Sequence, residues 1–193
     1  MDVSLFEMCG AACKLFLTDE GHDLPIKTFE ELMDPAVEAR QAARRTARQN
    51  DLLRHVWRAL LARGAPIPVD VLERELTRPA PPAVRDGLAH LDREDLILLQ
   101  DGVVRLAYPF SGDPTAFTIV LPDGRARFVC CAVDALGIAP MLGQPIEIRA
   151  RCHHCGGPIS FPVDPEGPGP GGDDVMVWIG HRDPDERRAC TGH

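Results

Sequence analysis

The stretch Leu96-Ile97-Leu98-Leu99-Gln100-Asp101-Gly102-Val103-Val104-Arg105-Leu106 has the pattern of two apolar strands joined by a tight turn. Asp-Gly between apolar runs is a strong short-range signal for a β-hairpin, because both turn residues adopt a positive φ that these residue types tolerate. We therefore predict a strand over residues 96–99, a turn at Asp101-Gly102 and a returning strand over residues 103–106.

Three helices are predicted before this hairpin. The first begins near Asp51, ends at Gly64 and has apolar residues at helical spacing. Two short helices follow, over residues 69–76 and 83–91. Three short helices followed by a hairpin are the element order of a winged helix. The pattern thus predicts a winged-helix-like domain over residues 36–107, preceded by an N-terminal extension over residues 1–35.

The second half of the chain combines strand patterns with one short helix. Apolar or alternating runs predict strands over residues 116–121, 126–129, 146–150, 159–163 and 175–179. A helix is predicted to start at Cys130 and to be broken by Pro140 and Gly143, and residues 164–174 are predicted to be a loop. The predicted fold class is α+β, with a small mixed β-sheet and short helices over residues 108–193.

The charge of the chain argues against a nucleic-acid-binding protein. The chain has 193 residues and a net charge of −8, which argues against generic nucleic-acid binding. The predicted third helix presents both signs of charge, through Arg85, Asp86, His90, Asp92 and Arg93. We therefore interpret the winged-helix-like part as a scaffold, and a metal-responsive, DNA-binding regulator is an alternative.

Cysteine usage indicates a reducing compartment. No apolar run is long enough to span a bilayer, and the N-terminus lacks a basic segment followed by an apolar one. We therefore predict a cytoplasmic protein that does not enter membranes. In the cytoplasm thiols stay reduced, so the seven cysteines favour metal binding or catalysis over disulfides.

The segment Cys130-Cys131-Ala132-Val133-Asp134-Ala135-Leu136-Gly137 places a thiol three residues from a carboxylate. A helix N-terminus favours the thiolate, whereas the neighbouring aspartate opposes it unless that aspartate keeps its proton. A protonated Asp134 beside a Cys131 thiolate would be an acid able to protonate a carbanion on a soft metal. The alternative is a buried cysteine beside an aspartate that caps the helix.

Further cysteines permit a different interpretation. Cys152-His153-His154-Cys155 is a Cys-x-x-Cys element that supplies half of a zinc site. The other half would come from the C-terminus, giving a structural zinc site with ligands Cys152, Cys155, Cys190 and His193. The simpler interpretation of His153, His154 and His181 is that they are exposed surface residues and not metal ligands. Cys9 and Cys13 would share a face of a helix, and the simpler interpretation is that both are small buried side chains.

Taken together, these residues resemble the organomercurial (alkylmercury) lyase family. The resemblance is clearest from about residue 106 to residue 165, and the winged-helix-like part also matches the family's organisation. It rests on Tyr108-Pro109-Phe110-Ser111, Pro114-Thr115, Cys131-Ala132-Val133-Asp134-Ala135-Leu136, Gly143, Cys152 and Gly156-Gly157-Pro158-Ile159.

The resemblance implies a catalytic set of Cys131, Asp134 and Cys190, with Cys152 as a structural cysteine. It implies that thiols bind the mercury of an organomercurial substrate and that Asp134 returns a proton to carbon. Hg(II) would be the product held by Cys131 and Cys190, then passed to small thiols or a mercuric reductase, with no organic cofactor. A non-catalytic thiol protein that binds zinc or mercury is the alternative.

Overall fold

The structure is a computed structural model that describes residues 6–9, 39, 51–76, 81–172 and 175–179. The helices are α1 (Asp51–Arg63), α2 (Val69–Glu75), α3 (Pro81–Arg93) and α4 (Ala132–Leu142). The strands are β1 (Phe6–Cys9), β2 (Ile67–Pro68), β3 (Ile97–Gln100), β4 (Val103–Ala107), β5 (Phe110–Ser111), β6 (Phe117–Val120), β7 (Ala126–Val129), β8 (Ile146–Arg151), β9 (Pro158–Asp164), β10 (Gly167–Pro168) and β11 (Met176–Ile179).

The predicted hairpin is present as β3 and β4. Asp101 and Gly102 both have a positive φ, at 51° and 73°, and Gln100 pairs directly with Val103. The three predicted helices precede it, and α1 ends at Gly64, whose φ is 66°. The short strand β2 also pairs with β4. The element order predicted for this half is confirmed, while its interpretation as a winged helix stays a prediction.

One sheet runs through most of the described chain, in the order β10-β9-β8-β6-β7-β5-β4-β2, with β3 paired along the other edge of β4, from Val103 to Ala107. The pairings in this sheet are antiparallel among the described strands. The prediction of a mixed sheet is therefore wrong, since most strand neighbours are joined by turns too short for a parallel crossover. The sheet passes without interruption from β4 to β5, across the predicted domain boundary at residues 107 and 108.

Helix α4 lies on this sheet and buries Ala132, Ala135, Ile138 and Ala139. Pro140 was predicted to break it, but the helix continues through Pro140 and ends at Gly143, in a left-handed conformation with φ 64°. A proline in the last turn removes only one backbone donor, so packing of the apolar face outweighs that loss.

Two segments differ from the predicted elements. The predicted loop 164–174 contains the short strand β10, which folds back on β9. Residues 6–9 form β1, which pairs with β11 in a separate two-stranded sheet. Cys9 therefore lies on a strand, so the helical spacing with Cys13 does not apply, and Cys13 lies outside the described residues. Within the described ranges, no helix combines the length and apolarity needed to cross a membrane.

Candidate active site at the start of helix α4

The site is built where β7 ends and α4 begins. Cys131 is the N-cap of α4, with an extended backbone at φ −153° and ψ 177°. The first backbone N–H groups of a helix have no partner within the helix, and a side chain at the N-cap usually satisfies one of them. Here the Sγ of Cys131 accepts the backbone N–H of Asp134 at 3.4 Å. The thiol is thus fixed at the positive end of the helix dipole.

The carboxyl group of Asp134 meets the same sulfur atom. The Cys131 thiol donates to Oδ2 of Asp134 at 3.1 Å. Cys131 is buried, at 9 % exposed, and Asp134 is half-buried. The two side chains therefore form a thiol–carboxylate pair with a defined path for one proton.

The alternative that Asp134 caps the helix is wrong. The structure places Asp134 in the first turn and gives the N-cap to Cys131. The arrangement resembles a capping box, in which the cap accepts an N–H three residues on and the acidic side chain there reaches back. Here the acidic side chain reaches back to the cap's sulfur.

Two neighbours hold the strand that leads to Cys131. The Thr115 hydroxyl donates to the carbonyl of Val129 at 2.7 Å, and the backbone N–H of Cys130 donates to the carbonyl of Pro109 at 3.0 Å. The sequence indicated no role for Thr115, although this residue lies in a segment that carries the resemblance. Its contact with Val129 joins residues 14 positions apart, so no local pattern indicates it.

The second cysteine cluster lies in the turn between β8 and β9. Cys152 is buried and belongs to the hydrophobic core, whereas Cys155, His153 and His154 are exposed. Among the described residues, no three His, Cys, Asp or Glu side chains are grouped to hold a metal ion. The zinc site of Cys152, Cys155, Cys190 and His193 stays a prediction, since Cys190 and His193 lie outside the described residues.

The structure thus brings together two of the three predicted catalytic residues. Cys131 and Asp134 are in contact, while the predicted second thiol, Cys190, lies outside the described residues, as does His181. The described geometry can pass a proton between sulfur and carboxylate, and a deprotonated sulfur is a suitable ligand for a soft electrophile.

Comparison with known proteins finds a family match for the second half of the chain. Residues 110–192 match the model of the family described as alkylmercury lyase. The matched range contains Cys131, Asp134 and Cys190. The resemblance inferred from the sequence is thereby confirmed.

Several curated proteins that are similar to part of the chain are named alkylmercury lyase. Alkylmercury lyase of Streptomyces lividans is 29% identical over 114 residues, which is 58% of this chain and 51% of that protein. The enzyme of Staphylococcus epidermidis is 28% identical over 107 residues, 55% of this chain and 47% of that one. That of Bacillus cereus is 33% identical over 67 residues, 35% of this chain and 29% of that one. The chain spans about half the length of the first two of these relatives.

A solved structure shares the fold. The mercury-bound form of MerB2 superimposes with a TM-score of 0.50 at 24% sequence identity, covering 60% of this chain and 55% of that one. This likeness concerns the fold, which in the described part of this chain combines helices with an antiparallel sheet.

Proposed function

We propose that residues 110–192, which match the model of the alkylmercury lyase family, cleave carbon–mercury bonds by protonolysis and release a hydrocarbon and Hg(II). The observation that carries this proposal is the 3.1 Å contact between the Cys131 thiol and the Asp134 carboxylate. The reaction needs a thiol that can lose its proton to a nearby base, and the same base must later act as an acid.

The first step uses the observed pair directly. The sulfur of Cys131 forms a bond to the mercury of R–Hg⁺, and its proton passes to Oδ2 of Asp134 along the observed hydrogen bond. The backbone N–H of Asp134, which points at the sulfur, stabilises the negative charge that develops there. This step yields a neutral thiolate–mercury–carbon species beside a protonated carboxyl group.

The second step needs another thiolate, for which we propose Cys190. Its binding raises the coordination of mercury and weakens the carbon–mercury bond. The Asp134 proton then passes to the carbon, which leaves as R–H with the bonding electrons. Hg(II) stays on two sulfur atoms, and Asp134 returns to the carboxylate form. Thiolate ligands suit a soft metal ion, and the organomercurial enters as substrate and not as a resident cofactor.

The surroundings of this reaction are also proposals. We infer that the helical half is a winged-helix-like scaffold, because α1 to α3 precede the β3–β4 hairpin and the Arg85 side chain of α3 pairs with Glu73 of α2. Because its guanidinium is paired with the Glu73 carboxylate, Arg85 is less suited to bind a DNA phosphate. We further propose that the protein acts in the cytoplasm and passes Hg(II) to small thiols or a mercuric reductase.

The test is hydrocarbon release from phenylmercury in the presence of excess small thiol. Wild type should produce benzene over many turnovers, and Cys131→Ala should reduce the rate by about a thousandfold or more. Cys155→Ala is the matched control, because that thiol is exposed in the β8–β9 turn and should leave turnover unchanged. The proposal is wrong if wild type shows no turnover, or if Cys131→Ala keeps the wild-type rate.

A further inference from the structure

Arg127, on β7, reaches across to the end of α1. Its Nη2 donates to the carbonyl of Ala62 at 2.8 Å, and its Nε donates to the carbonyl of Leu61. Carbonyls in the last turn of a helix have no partner within the helix. A positively charged guanidinium at this position is also stabilised by the negative end of the helix dipole. These two hydrogen bonds, here called the α1–β7 bridge, join residues 65 and 66 positions apart.

The guanidinium of Arg127 lies where a side chain at position 64 would be, and this position is a glycine. A Cβ atom at Gly64, the residue after α1, would lie 3.1 Å from Nη1 and 3.2 Å from Cζ of Arg127. Gly64 also has a φ of 66°, which favours glycine. The third guanidinium nitrogen, Nη1, also donates a hydrogen bond, to the carbonyl of Ala126 at 2.6 Å. The side chain is therefore fixed at every nitrogen of the guanidinium.

The strand that carries Arg127 also carries the reactive thiol. β7 pairs with β5 on one edge and with β6 on the other, and it leads through Cys130 to Cys131. At roughly 3.3 Å per residue, Arg127 lies about 13 Å along the chain from Cys131. Its far end is held by Thr115 and Pro109, as described above, and the bridge to α1 adds a side-chain restraint from the helical half to the strand pairing of β4, β5 and β7.

We infer that Arg127 is a positioning residue, which docks the end of α1 on β7 and thereby fixes where β7 presents Cys131 to Asp134. The helical half acts on the thiol through this bridge. The inference rests on the proposed function only for its effect on turnover, because the reactivity of Cys131 can be measured without any organomercurial.

The test compares Arg127→Ala with Arg125→Ala, the matched control. Arg125 precedes β7 and pairs only within its own turn, with Asp123, according to its described contacts. The readout is the rate at which iodoacetamide alkylates Cys131, measured by peptide mass spectrometry and referred to exposed Cys155 in the same sample. Opening of the bridge in Arg127→Ala should speed alkylation of Cys131 about fivefold, with Cys155 unchanged. Arg125→Ala should stay within about twofold of wild type at both thiols.

Two further readouts separate positioning from a general loss of stability. Arg127→Lys keeps the charge without the planar fork and should give an intermediate rate of alkylation. Turnover of phenylmercury in Arg127→Ala should fall about tenfold in kcat with little change in KM. If Arg127→Ala does not fold, Gly64→Ala, which presses on the guanidinium, should accelerate alkylation of Cys131 in its place.

A folded Arg127→Ala protein whose Cys131 is alkylated at the wild-type rate would overturn the inference. If wild type proves inactive on phenylmercury while Arg127→Ala still speeds alkylation of Cys131, the lyase proposal fails and the positioning role stands.

Discussion

At the scale of single residues, spacing along the chain predicted the contact between Cys131 and Asp134. Positions three apart at a helix start face one another, so local geometry was sufficient. Spacing could not predict which residue caps the helix, and the alternative interpretation wrongly gave that role to Asp134. The structure gives the cap to sulfur, and this also fixes the thiol at the helix N-terminus.

A carboxylate on β8 gives a pH prediction at the same scale. Arg149 forms two hydrogen bonds with Glu147, at 2.9 and 3.0 Å, and Ser160 of β9 donates to it as well. These partners lower the pKa of Glu147 from 4.5 to about 2, with Arg149 the larger cause. Because the folded-state pKa is depressed, the stabilisation is present above pH 4.5 and is lost as the pH falls towards 2.

An NMR titration of the Glu147 carboxyl group checks this prediction. We expect a midpoint near 2 in wild type, and a midpoint closer to the ordinary glutamate value in Arg149→Gln. A wild-type midpoint near 4.5 would show that the Arg149 pair does not persist in solution.

At the scale of elements, the sequence predicted most strands and helices but wrongly predicted a break in α4 at Pro140. Pro140 was read as a helix breaker, whereas the apolar face of α4 packs on the sheet and extends the helix to Leu142. Intrinsic propensity is local, and the packing that overrides it is not visible in the sequence. Gly143 was assigned correctly as a stop because its left-handed conformation is a local requirement.

Two glycines of α4 should respond to alanine in opposite directions. Gly137 lies inside the helix with open space around its Cβ position, so Gly137→Ala should stabilise the protein by about 0.5–1 kcal/mol. Gly143 has equally open space but a φ of 64°, so Gly143→Ala should destabilise by about 1 kcal/mol. Urea denaturation measures both, and changes of the same sign would contradict the observed end of α4.

At the scale of the whole molecule, the sequence predicted two units, and the structure shows a sheet shared by both. β4 of the helical half pairs with β5, and β5 pairs with β7. The sequence predicted the strands themselves from local alternation, but their neighbours depend on contacts between distant residues. For the same reason it indicated neither Thr115 nor Arg127 as a support of the site.

A close backbone approach between the halves, at Gly112, gives a prediction for the whole fold. A Cβ atom at Gly112, just after β5, would lie 2.5 Å from the backbone nitrogen of Pro66 and 2.8 Å from the carbonyl carbon of Ala65. Gly112→Ala must therefore push the chain after α1 away from the sheet, at a cost of about 3 kcal/mol. Gly124→Ala, with a φ of 83° in open space, should cost only about 1 kcal/mol.

Thermal or urea denaturation of the two variants distinguishes these costs. If Gly112→Ala is no more destabilising than Gly124→Ala, the halves do not pack as closely as the structure shows.

The central claim, that Cys131 binds mercury while Asp134 supplies the proton to carbon, is tested most directly by Asp134→Asn in a single-turnover experiment. The protein is mixed with phenylmercury and excess small thiol, benzene is followed by gas chromatography, and the adduct on Cys131 is mapped by mass spectrometry. The account predicts that Asp134→Asn still carries phenylmercury on Cys131, whose proton is then lost to solvent, but releases benzene about a thousandfold more slowly than wild type. Release of benzene by Asp134→Asn at a rate close to that of wild type would contradict it.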